Sequence, residues 1–85
     1  MTVYLVDEPS FELAKSIASE DSDAHLVLLE DAVYHTTAEG NGKLYAITDD
    51  VDRRGLRSKL QSNIVLISYD QLVEMMEKER VVNLL

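Results

Sequence analysis

Cysteine is absent from the 85 residues, and that absence closes several chemistries at once. No disulfide framework, thiolate-held zinc, iron–sulfur cluster or cysteine nucleophile can be built. Positive charge is also scarce, with eight Lys and Arg against sixteen Asp and Glu and a formal net charge of −8. Phosphate backbones are held by clustered Lys and Arg, so this balance argues against direct, high-affinity contact with nucleic acid. No apolar run approaches the roughly 18 residues that a membrane-spanning helix needs. The opening stretch MTVYLVDEPSF has no basic segment, and its short apolar run meets Asp7 and Glu8 at once. It does not have the pattern of a secretory signal. There is no linker or low-complexity segment, and no repeat beyond a strand–helix unit. The expectation is a cytoplasmic, cofactor-free protein without membrane attachment.

What is present suits a globular chain: 46% hydrophobic and 28% charged residues. The length fits one domain over residues 1–85 and is too short for two. A chain of this size buries roughly 60% of the surface it exposes when unfolded. Its core is therefore small, and pairing with another subunit would help to stabilise it.

Four strand–helix units can be read along the chain. Val3–Val6 is a strand, and Pro9 opens a helix over 9–19 whose Phe11, Ala14, Ile17 and Ala18 recur at helical spacing. His25–Leu29 is a continuous apolar run, the pattern of a strand buried on both faces of a parallel sheet. Asp31 is positioned to cap a short helix reaching Ala38, which Gly40-Asn41-Gly42 would close. Leu44–Ile47 is a third strand, followed by a short helix Val51–Arg54 with Thr48 or Asp49 as its cap and Gly55 as its left-handed terminator. Ile64–Ile67 is a fourth, and Ser68 with Gln71 forms a capping-box pattern opening the helix Tyr69–Glu79. The tail Val81–Leu85 is too apolar for water and packs as an extra strand or at an interface. Alternating strands and helices imply right-handed crossovers and an α/β fold with a mainly parallel, four-stranded sheet, to which the tail could add a short fifth strand.

Ligands of open parallel sheets bind beyond the carboxyl ends of the strands. Those ends carry acids here, and a strand-end pocket would be built from Asp31, Tyr34, His35, Asp49, Asp50 and Tyr69. One reading is a carboxylate site for a divalent metal in an enzyme or sensor; the other is ordinary helix capping. His25 and His35 admit either a chemical or a structural role. Ser10, Thr48 and Ser68 fit caps better than nucleophiles. Half of the positive charge sits at Arg53, Arg54, Arg57 and Lys59, either a solvated helix end or a contact for an acidic partner. No aromatic residue interleaves with it, against an RNA-binding patch. Leu72, Val73, Met75 and Met76 give the last helix a broad apolar face, and with Val81 and Val82 they make a candidate subunit interface.

Three stretches in order carry a resemblance. Leu28-Leu29-Glu30-Asp31-Ala32-Val33-Tyr34 resembles the LLLxDGV strand–helix junction of the DsrH/TusB family. Leu44-Tyr45-Ala46-Ile47-Thr48-Asp49-Asp50, followed by Arg54-Gly55-Leu56, resembles its VYALxxDLxARGL segment. Ile67-Ser68-Tyr69-Asp70-Gln71-Leu72-Val73 resembles its IxYxDFVxL start of the last helix. The resemblance implies a three-layer α/β/α fold of the DsrE/F/H type, with strands in sequence order. It also implies a place in a cytoplasmic sulfur relay that supports persulfide transfer toward 2-thiolation of the tRNA wobble uridine. The implied partners are cysteine-bearing DsrE/DsrF-like (TusD/TusC-like) subunits, further copies of the chain, or both. In such relays sulfur rides on a low-pKa thiolate. This chain has no thiol, so the resemblance carries over no catalytic residue. The expectation is an accessory subunit and not an enzyme by itself, with a homo-oligomeric interaction module as the alternative.

Overall fold

The computed structural model describes residues 1–38 and 42–85. In chain order it runs β1 (Thr2–Val6), α1 (Phe11–Glu20), β2 (Ala24–Leu28), a 3-10 segment (Glu30–Thr37), β3 (Leu44–Ile47), α2 (Thr48–Arg53), a 3-10 turn (Arg57–Lys59), β4 (Ile64–Ile67), α3 (Tyr69–Lys78) and β5 (Arg80–Asn83). All strand pairs are parallel, in the order β4-β3-β2-β1-β5. The first four strands lie in sequence order. The apolar tail is the fifth, pairing Val81 with Val3 and Val82 with Tyr4.

This order decides which face each helix covers. Steps from β1 to β4 all run in one direction, so right-handed crossovers place α1, the 3-10 segment and α2 on one face. The return from β4 to β5 runs the other way and places α3 on the opposite face. Side chains alternate across the strands accordingly. Leu26, Leu28, Leu44 and Ala46 pack with Phe11, Ala14, Val33 and Val51 on the first face. Val3, Leu5, Val27, Ile47 and Ile67 pack with Leu72 and Met75 on the second. Three elements cover the first face and α3 alone covers the second, where Tyr45, Val65 and Val81 remain half-buried.

Several expected caps are replaced by other contacts. Before α1, Asp7 and Ser10 bond reciprocally, with Ser10 N–H donating to Asp7 Oδ1 (3.2 Å) and Asp7 N–H to Ser10 Oγ (3.1 Å). Pro9 falls inside that turn, and the helix starts at Phe11. Asp31 caps nothing, because the segment opens from Leu29 with no side-chain cap and winds as a 3-10 helix. Thr36 and Thr37 hydroxyls donate to the carbonyls of Val33 (2.6 Å) and Tyr34 (3.0 Å), three residues back, which competes with α-helical pairing. Neither Thr48 nor Asp49 caps α2, which starts at Thr48 itself. The Thr48 hydroxyl instead donates to Ile67 O (3.1 Å) and ties the end of β3 to the end of β4. The expected Gly40–Gly42 turn lies largely outside the described residues.

Two caps form as the sequence implies. Gly55 ends α2 at φ +66. Its N–H donates to Asp52 O (3.0 Å) and that of Leu56 to Val51 O (3.1 Å), the two bonds of a Schellman motif. Ser68 and Gln71 close the capping box of α3, the Gln71 N–H donating to Ser68 Oγ at 3.0 Å and the Ser68 N–H to Gln71 Oε1 at 2.7 Å.

Candidate functional site

Adjacent strands β3 and β4 send their helices to opposite faces, which opens a crevice at their carboxyl ends. Asp50, on the first turn of α2, fills it and is fully buried. A buried carboxylate is costly unless it is paired and hydrogen-bonded. Asp50 has both kinds of partner. Its Oδ2 accepts from the Glu30 N–H (2.9 Å) and the Tyr69 hydroxyl (3.0 Å), and its Oδ1 accepts from Arg53 Nη1 (3.2 Å). The ends of β2, β3 and β4 are thereby joined through one side chain.

Arg54 extends the network outward. Its Nη1 donates to the Asp50 carbonyl (3.1 Å), while Nε (3.0 Å) and Nη2 (2.9 Å) engage Asp31 Oδ1 and Nη2 approaches Glu30 Oε2 (3.4 Å). Glu30 has φ +50, an uncommon conformation for a residue with a side chain. That conformation accompanies its N–H bond to Asp50. Burial, followed by the hydrogen bond to Asp50, raises the pKa of the Tyr69 phenol above its ordinary value.

The six expected pocket residues therefore separate. Asp31, Asp50 and Tyr69 belong to one network. His35 belongs to another: its Nε2 lies 2.6 Å from Glu8 Oε2 and its ring stacks on Phe11 at 3.6 Å. Tyr34 and Asp49 are exposed. His25 Nδ1 sits 3.0 Å from Asp23 O, at the opposite ends of the strands. Glu30 and Arg54 complete the network without having been assigned to the pocket. Their signal was present, since Glu30 stands next to Asp31 and Arg54 follows Asp50 by one helical turn. No group of three or more His, Asp or Glu suited to a metal ion occurs among the described residues. The oxygens of Asp50 already accept from an amide, a phenol and a guanidinium.

The basic cluster is neutralised largely from within. Arg53 and Arg54 serve Asp50 and Asp31, and Arg57 forms a two-pronged bond to Asp52 (2.9 and 2.7 Å) that lowers the Asp52 pKa. Lys59 is exposed on the 3-10 turn. Of the expected interface residues, Leu72 is spent on the core at 5% exposure; Met75, Val81 and Val82 are half-buried. Val73 and Met76 are exposed at 52% and 40%. A hollow of about 290 Å³ borders the other edge of α3, lined by Ile67, Gln71, Met75 and Lys78 among others.

The sheet is parallel, its switch-point crevice is filled by Asp50, and the sequence carries no thiol. The class is a thiol-free α/β protein with helices on both sheet faces. A family model described as DsrH like protein matches residues 8–82, and the chain belongs to that family. Membership carries a sulfur-relay role, and proteins of this family generally work with other relay subunits. No curated protein matches the chain. Among the described residues no helix is long and apolar enough to cross a membrane.

Proposed function

We propose that this chain is a non-catalytic subunit of a cytoplasmic sulfur-relay complex. In this reading it supports persulfide transfer, toward 2-thiolation of the tRNA wobble uridine, on cysteines belonging to DsrE- or DsrF-like partners. The observation that carries the reading is the conjunction of relay-family membership with a sequence that holds no cysteine. A thiolate is both the nucleophile and the carrier in such chemistry. A relay protein without one contributes surface and not a transfer step. The network around Asp50 supports the same reading, because it fixes three strand ends with polar groups that are already paired.

The test is co-expression with the cysteine-bearing DsrE- and DsrF-like subunits of the same cell, followed by mass spectrometry of the intact assembly. A complex of fixed stoichiometry, together with loss of tRNA 2-thiouridine when the chain is deleted, is the expected result. If the chain binds none of those subunits and its deletion leaves 2-thiouridine unchanged, the relay role fails. A chain that purifies only with itself would favour the homo-oligomeric module.

A further inference from the structure

Tyr69, Val73 and Met76 are exposed at 39%, 52% and 40%, and they follow one another along α3 at four- and three-residue spacing. They form a single stripe beside the inward-facing seam of buried Leu72 and half-buried Met75. Tyr69 is preset within it. Its hydroxyl is spent on buried Asp50 (3.0 Å), so the ring is held in place while part of it stays accessible. Ordering of this kind before association lowers the entropic cost of binding, and tyrosine is a frequent anchor of interfaces.

Charge indicates what such a stripe can accept. Asp70 and Glu77 lie three residues before and four after Val73 and so flank the stripe, Glu74 lies one row further round the helix, and all three acids are exposed. A two-fold pairing of identical stripes would bring these acids against their own copies. Like charges placed together across an interface are disfavoured. Arg53, Arg54 and Arg57 offer no ready complement for head-to-tail association, because they are already bonded to Asp50, Asp31 and Asp52.

We infer that the Tyr69–Val73–Met76 stripe of α3 docks a partner subunit whose apolar contact is rimmed by Lys or Arg, and that the acids beside it discourage self-pairing. The identity of the partner as a relay subunit rests on the proposed function, but the test of the surface does not. The probe is a charge-reversed copy of this chain, Glu74→Lys with Glu77→Lys, mixed with the unaltered chain and followed by sedimentation velocity. Both substitutions are at exposed positions, and far-UV circular dichroism verifies that the copy folds.

The mixture is expected to form a heterodimer about tenfold tighter than either chain alone. High salt should weaken it, and Val73→Ser with Met76→Ser in the unaltered chain should abolish it. The inference is overturned if the mixture stays monomeric, if the double serine variant associates equally well, or if the unaltered chain dimerises as tightly by itself. Failure to capture DsrE- or DsrF-like subunits would count against the relay reading and leave this surface standing. Failure of the charge-reversed mixture would do the reverse.

Discussion

Asp50 shows how one side chain can connect distant parts of a small fold. It lies 20 residues from Glu30 and 19 from Tyr69 in sequence, yet it accepts hydrogen bonds from both. Removing such a group leaves the partly buried Glu30 N–H and the Tyr69 hydroxyl without their acceptor. Asp50→Ala is expected to cost about 1–3 kcal/mol, measured by urea unfolding. Asp50→Asn, which keeps one acceptor oxygen, should cost less. The Tyr69 phenol offers a second test. Its folded pKa is raised, so the folded state holds this proton more tightly than the unfolded chain. The associated stability is fully present below the unfolded value near 10 and is lost as pH rises through the folded one. Tyr69→Phe should therefore flatten the alkaline decline in stability relative to the unaltered protein. Equal slopes in the two proteins would contradict the assignment.

At the scale of elements, the legible features were those decided by near neighbours. The capping box of α3 needs only Ser68 and Gln71, and the end of α2 needs only a glycine able to take φ +66. Ser68→Ala should destabilise by about 1 kcal/mol through the lost cap. Gly55→Ala should cost about 1–2 kcal/mol, and that cost is conformational, since an added Cβ meets nothing within 4 Å. Thermal unfolding of the two variants checks both values. The misread caps were those drawn away by partners elsewhere in the chain. Asp31 turns to Arg54, and Thr48 turns to Ile67 O on β4. The segment 30–37 reads as a helix by pattern, but its threonine hydroxyls bond three residues back and it winds as a 3-10 helix.

For the whole molecule, strand order sets which surfaces remain open. The tail becomes β5 beside β1 and forces α3 to cross the second face alone. Cutting the chain before Arg80 would remove β5 and turn β1 into an edge. Unpaired edges template association with other chains. The truncated protein is therefore expected to bind hydrophobic dye and aggregate on warming, as light scattering would report, whereas the intact chain should not.

The sequence by itself determined the absence of thiol chemistry, the acidic surface, the alternation of strands and helices, the glycine stop of α2 and the capped start of α3, and the resemblance to the relay family. These are properties of composition or of residues a few positions apart. Only the tertiary structure decided that Glu30, Arg54, Asp50 and Tyr69 meet, that His35 pairs with Glu8 instead, and that Leu72 is buried while Val73 and Met76 are not. Each of those outcomes depends on which strand lies beside which and which face a crossover takes. Periodicity within one element carries no record of either.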